Sequence, residues 1–291
     1  NQNFTYGVRG KIYSSIWNLT SIKNRGTFIT ESGENNFYNH NFNLDLALKT
    51  SGLTNSVEEG SSFEAKDLRN IKSAAFYDYD KSLVTISAQN AAYKEIGFDA
   101  FEDYPIGETT INHGHLNWEM NDQIVSNNPL VYEDMNVSIS GETKHTGHQS
   151  LKFELDSLGL ASFDFKAYPI NQFSGFWEYE PGKKYIVQYW EKANLNCHLD
   201  LSFLTLSPGA SIDLLSSIQV GEWVRKEYLL QSTSPDSLTM SFQKPKCKGT
   251  VYIDDFRISP YNSTSKAFVY DASTYDVMAI LDQNNFASLY Q

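Results

Sequence analysis

Long apolar runs are missing from this sequence. No stretch approaches the roughly 20 residues that a helix needs to cross a bilayer, so the chain is not expected to span a membrane. Basic residues are also scarce: 23 Lys and Arg stand against 35 Asp and Glu, a formal net charge of −12. That balance argues against nucleic acid or an anionic membrane surface as partner. Cysteine is nearly absent, and Cys197 and Cys247 are the only two. Neither has the CxxC or Cys/His spacing of a zinc site. Cys197 shares the parity of Leu199 and Leu201, as a small buried side chain would, whereas Cys247 lies in the turn-like Lys246-Cys247-Lys248-Gly249. The pair can be one disulfide of an extracellular protein or two isolated thiols, and spacing does not choose between them. No nucleophile elbow, P-loop, Rossmann glycine pattern or HExxH occurs. The opening Asn1-Gln2-Asn3-Phe4 has no basic and apolar leader, and the last residues, Phe286 to Gln291, read as a strand cut short. The sequence therefore reads as a piece of a longer protein.

What is present is aromatic and alternating. Of 291 residues 14% are aromatic, with 18 Tyr and 18 Phe, residue types that suit half-buried pleated surfaces. From about residue 150 a period of two dominates. Leu151, Phe153 and Leu155 alternate with polar neighbours, as do Phe163 and Phe165, Leu199, Leu201 and Phe203, and Leu238, Met240 and Phe242. Each run reads as a short strand with one buried face. Turn clusters such as Glu180-Pro181-Gly182-Lys183 and Ser234-Pro235-Asp236 separate them. Lys184 to Trp190 is apolar on both faces, which suits a central strand whose second face is also covered. Helical spacing is weak, and its best stretch runs from Ala88 to Ile96. Residues 1–60 are rich in Asn, Ser and Thr and less regular. The pattern predicts an all-β chain built as an antiparallel sandwich or barrel.

Three segments resemble parts of known families. Ala75-Phe76-Tyr77-Asp78-Tyr79-Asp80, continuing to Phe101-Glu102-Asp103, resembles the stretch before an inserted module in large bacterial YD-repeat (Rhs/teneurin-like) surface proteins. His145-Thr146-Gly147-His148-Gln149-Ser150-Leu151-Lys152, closed later by Val251 to Ile258, resembles the opening and closing strands of jelly-roll carbohydrate-binding-like (galactose-binding-like) modules. Phe268-Val269-Tyr270-Asp271 with Val277 to Ala287 is similar to one YD-repeat hairpin. The resemblance spans roughly residues 75–291. It implies a β-rich YD-repeat-like segment over 1–96, a jelly-roll sandwich over 97–260 and a YD-repeat hairpin over 261–291.

Candidate site residues follow from both readings. Asp254 has the parity of Tyr252, Phe256 and Ile258, and a carboxylate aimed at a core must be paired or metal-bound. Glu102 has the parity of Phe98 and Ala100. In the modules this chain resembles, acids on the two terminal strands share a structural Ca²⁺ with loop carbonyls. Carried over, these are Glu102, Asp254 and the Lys144–Gly147 loop, a hard oxygen set that suits Ca²⁺. The alternative is that Asp254 pairs with a basic side chain or with backbone N–H groups. His113, His115, His145 and His148 form two loop pairs that would hold a transition metal only if the loops met. Trp118 and Trp177, in loop-like surroundings, are the candidate platforms for a sugar ring, whereas Trp190 and Trp223 read as packing residues. Paired acids, Asp78 with Asp80 and Glu178 with Glu180, are the only hint of a glycosidase. The expected function is a non-catalytic binding module of a secreted or cell-surface bacterial protein, with glycan as ligand. Its other partners would be the rest of a larger polypeptide and secretion or outer-membrane components. The rival expectations are a purely structural insert packed on a YD-repeat shell and a glycoside hydrolase fragment.

Overall fold

A computed structural model describes residues 28–30, 33–35, 51–56, 62–67, 69–79, 82–107, 116–121, 136–155, 162–169, 177–194, 197–203, 209–243 and 248–290. In chain order, β1 (Phe28–Thr30) and β2 (Gly33–Asn35) pair antiparallel. An antiparallel meander follows: β3 (Ser51–Ser56), β4 (Ser62–Asp67), β5 (Lys72–Asp78) and β6 (Leu83–Gln89). A single 3₁₀ turn, Tyr93–Glu95, leads into β7 (Gly97–Asp99). The expected helix from Ala88 is therefore the end of β6 plus that turn. Its alanines fit because Ala74, Ala88 and Ala91 pack with Ile86 and Ile96 in one small core.

The next strands are β8 (Asn117–Asn121), β9 (Asn136–Ser140), β10 (Ser150–Leu155), β11 (Ser162–Pro169), β12 (Glu178–Tyr179) and β13 (Lys184–Ala193). After them come β14 (Asp200–Phe203), β15 (Ala210–Val220), β16 (Trp223–Ser232), β17 (Leu238–Gln243) and β18 (Gly249–Pro260). They form two sheets. One has the order β15-β16-β13-β18-β10-β9, with β7 also paired to β18; the other has β12-β11-β17-β14, with β8 also on β11. The chain is an all-β protein with a β-sandwich, as its alternation predicts. Tyr185, Val187 and Tyr189 of β13 meet Leu238, Met240 and Phe242 of β17 in one core with Leu151, Phe153 and Leu201. Burying such a side chain contributes about 1.5–3 kcal/mol, so a period of two, repeated over many strands, is enough to set which face turns inward.

Three further strands, β19 (Thr264–Tyr270), β20 (Val277–Leu281) and β21 (Ala287–Leu289), join the first meander in one sheet, β21-β20-β19-β6-β5-β4-β3. β19 pairs antiparallel with β6, Ser265 opposite Ala88 and Thr264 opposite Gln89. Residues 90–263, which hold the sandwich, thus lie between two hydrogen-bonded neighbours of a different sheet. Two groups of contacts among the described residues help to tie the two parts together. In the 3₁₀ turn, Lys94 Nζ bonds Glu178 at 2.8 Å, while Glu95 receives Lys183 Nζ at 2.6 Å and Tyr185 Oη at 2.7 Å. In the other group the turn after β20 lies on the outer face of β13 and β18. Arg257 donates to the carbonyls of Asp282 (2.7 Å) and Gln283 (2.9 Å), and Trp190 Nε1 donates to that of Asn285 (2.7 Å). This cover explains why β13 is apolar on both faces.

Candidate functional site

The closing strand carries a β-bulge. Trp190 is opposite Asp254 but Gln188 is opposite Arg257, so β18 holds one residue more than β13 across this interval. Asp255 takes a φ of 50°, a left-handed conformation that Asp tolerates better than most residues. The extra residue corrects the expected parity. Phe256 and Ile258 face the sandwich core, whereas Asp254 stands away from it, on the side of Tyr252.

Both bulge acids reach the β9–β10 loop. Asp254 Oδ2 accepts the N–H groups of His145 (2.7 Å) and Thr146 (3.2 Å). Asp255 accepts Thr146 Oγ1 at 2.7 Å and pairs with His145 Nδ1 at 2.6 Å. The same loop holds Glu102, whose Oε1 accepts His148 N at 2.8 Å and Gln149 N at 2.9 Å. Gly147 lies against that carboxylate with a φ of 60°, and a Cβ there would sit 2.1 Å from Glu102 Oε1. The structure therefore brings Glu102, Asp254 and the Lys144–Gly147 loop together. Burial pushes the Glu102 carboxyl up to about 8, with Asp255 adding to the effect against the two N–H bonds. Burial, then Asp255 and Glu102, holds Asp254 well above its ordinary value. Neither acid has a Lys or Arg in ion-pair contact among the described residues. Among those residues no group of three or more His, Cys, Asp or Glu can hold a metal ion. An ion here would rest on two carboxylates and on loop carbonyls, a donor set that fits a hard cation.

The other candidates are placed differently. Trp118 is on β8, 5% exposed, packed on Phe256 and Phe242, with its Nε1 donating to Asp99 at 3.1 Å. Trp177 is fully buried against Tyr179 and Tyr185. Neither ring turns a face to solvent, because loop-like sequence around each hides a strand or a strand edge. Trp190 and Trp223 are buried with Tyr252, and the His145 ring stacks on Trp190 at 3.9 Å. His145 and His148 have separate partners, Asp255 and Asp271, while His113 and His115 lie outside the described residues. Glu178 is buried and paired with Lys94, whereas Glu180 is exposed; Asp80 lies outside the described residues. Cys197 is buried and disulfide-bonded. Cys247 lies outside the described residues.

A groove that the sequence did not announce lies where the sandwich meets the other sheet. It has a volume of about 300 Å³. Ile186, Gln188, Leu215, Glu227 and Ser259 line it from the sandwich; Ser265, Gln283 and Asn284 line it from the other side, and Tyr261 stands at the junction. Ser259 and Ser265 are 7% and 4% exposed; their hydroxyls make no hydrogen bond among the described residues and keep access to solvent. The exposed amides of Gln283 and Asn284 are likewise unengaged there. Tyr261 is 53% exposed. Only the contact of separate strands creates this groove, so no local motif signals it.

Residues 1–82 match a family described as a family of unknown function, DUF5723. No curated protein sequence matches the chain. Similar solved structures include carbohydrate-binding modules. One is the CBM22-1 xylan-binding domain from Paenibacillus barcinonensis, at 14% identity and a TM-score of 0.34, over 56% of this chain and 92% of that one. Another is the C-terminal family 22 carbohydrate binding module of Clostridium thermocellum, at 13% and 0.28, over 56% and 98%. A third is TmCBM61 in complex with beta-1,4-galactotriose, at 16% and 0.25, over 49% and 88%. At these TM-scores the likenesses carry no argument about what this chain binds.

Proposed function

We propose that the chain is a non-catalytic glycan-binding module within a larger extracellular or cell-surface protein. The observation that supports this is the groove, where unengaged hydroxyls and amides stand beside a half-exposed tyrosine. Sugars offer the same two features, a rim of hydroxyls and an apolar C–H face that packs on aromatic or aliphatic surface. The sugar-stacking role expected of Trp118 and Trp177 falls instead to Tyr261 and Leu215. A glycan array probed with the native chain tests the reading. Retention on at least one saccharide is the expected result, and a blank array would sink it.

The structural-insert reading has one observation in its favour, the tight seating of the turn after β20 on Arg257 and Trp190. A blank array with an Arg257 variant that unfolds the protein would favour it.

We also propose a structural Ca²⁺ on Glu102, Asp254 and the carbonyls of the Lys144–Gly147 loop. When bound, the ion would offset the charge of carboxylates that burial otherwise protonates. A ligand held only by the folded state raises its stability. The expected result is a higher midpoint of thermal unfolding in millimolar Ca²⁺ than in chelator, and equal midpoints would remove the ion.

A further inference from the structure

The groove has chemistry specific enough to narrow the ligand, on the premise of the glycan reading above. Among its lining residues Glu227 alone is charged. That charge is already matched, since Glu227 Oε2 accepts from Arg225 Nη2 and, at 2.7 Å, from Gln188 Nε2. Gln188 Oε1 in turn accepts from Arg257 Nε at 3.1 Å, and Arg257 donates onward to the turn carbonyls. The charged groups beneath the groove are thus spent on one another. No Lys, Arg or His is among its lining residues to receive a carboxylate or sulfate, and the whole chain carries −12. A polyanion approaching such a surface is repelled at long range and finds no partner at short range.

What the groove does present is neutral and free of protein hydrogen-bond partners among the described residues. The Ser259 and Ser265 hydroxyls line the groove without a protein partner among the described residues and keep access to water, so they are open to exchange that water for a hydroxyl ligand. Ser259 lies on β18 of the sandwich, while Ser265 lies on β19 of the neighbouring sheet. Gln283 and Asn284 belong to the turn between β20 and β21. A ligand that satisfies all four touches both parts at once.

We propose that this groove is a binding site for an uncharged oligosaccharide, held between the sandwich and the sheet into which it is inserted. The volume of about 300 Å³ is at the lower end of small-ligand sites, which suits a short stretch of chain rather than a branched glycan. The ligand's hydroxyls receive and donate bonds at Ser259 and Ser265, and the amides of Gln283 and Asn284 fix its orientation from the turn.

The test uses the full chain and two soluble panels: neutral cello-, xylo-, manno- and galacto-oligosaccharides, and oligomers of uronic acids. Calorimetry is run on the native protein, on Ser259→Ala with Ser265→Ala, and on Gln283→Ala with Asn284→Ala. The second pair is exposed, so it leaves the fold intact even if the first does not. The expected result is binding of a neutral oligosaccharide that weakens at least tenfold in either double variant, with no binding of the uronates. Undiminished binding in both variants would overturn the groove while leaving glycan binding in place. Preference for uronates would overturn the neutrality of the ligand. Failure of the native chain to bind any member of either panel, together with a blank array, would remove the premise as well.

Discussion

Gly147 is the residue on which the acid-holding loop turns. Its φ of 60° disfavours any side chain, and a Cβ would meet Glu102 at 2.1 Å. Gly147→Ala is expected to cost about 2 kcal/mol, from left-handed strain and displacement of a buried carboxylate together. Urea denaturation measures it, and an unchanged midpoint would mean that the loop is held by other contacts. Glu102 itself sets a pH dependence. Its folded-state value of about 8 is above the ordinary 4.5, so between these two the folded protein binds more protons than the unfolded one. Stability therefore falls as pH rises through that window, by up to about 1.4 kcal/mol per pH unit for one such group. Asp99, which burial and then Asp103 push up to about 7, adds in the same direction. In chelator, Glu102→Gln is expected to flatten the slope above pH 7, because the amide oxygen still accepts from His148 and Gln149 but carries no proton to lose. A slope equal to that of the native chain would show that Glu102 is not its source. None of this is visible in the sequence beyond the parity of Glu102, since a raised pKa depends on what else is packed around the group.

At the scale of strands, alternation made most of the sandwich legible. β10, β14 and β17 were found from Leu, Phe and Met at every second position, and the two-faced β13 was recognisable as central. The bulge in β18 was not, because an inserted residue is defined only against the partner strand. That one residue reversed the expected side of Phe256 and Ile258 relative to Asp254. β8 and β12 were missed for a different reason: they are short, five and two residues, and β8 surrounds its tryptophan with polar residues. Strand-level cohesion also depends on Cys197, which sits in the core beside Leu199 and Leu201. A disulfide from Cys197 to Cys247 would join positions fifty residues apart. Loop-closure entropy alone makes such a link worth about 4 kcal/mol. Reduction, or Cys197→Ser, is expected to lower the unfolding midpoint markedly under otherwise equal conditions. A midpoint insensitive to dithiothreitol would show that the link does not bear on folding.

Across the whole molecule, the order of segments carried more information than any one of them. The expected division into segments rested on resemblances before and after the sandwich; in the structure β6 and β19 pair directly across residues 90–263. How the two parts touch was not legible, because the contact is made by a turn, Asp282 to Asn285, lying on a sheet face. Arg257 is 1% exposed and holds that turn by two carbonyls while bonding Gln188. Replacing it with Met leaves three acceptors short of a donor, and a loss of about 3 kcal/mol is expected. The informative readout is hydrogen exchange. If the turn couples the two parts, amides of β20 and β21 lose protection in Arg257→Met along with those of β13. Loss confined to β13 would mean that the parts open independently.

The pairing of β6 with β19 has a mechanical consequence. The chain leaves the sheet of β3–β6 and β19–β21 and returns to it at adjacent antiparallel positions, Gln89 beside Thr264. Tension applied along the polypeptide from either side of this junction is borne first by the ladder between those two strands. Until that ladder parts, the sandwich is outside the path of the force. A stretched host would thus keep the inserted unit folded and its surfaces displayed, and would release it as extra contour length only after the junction had given way.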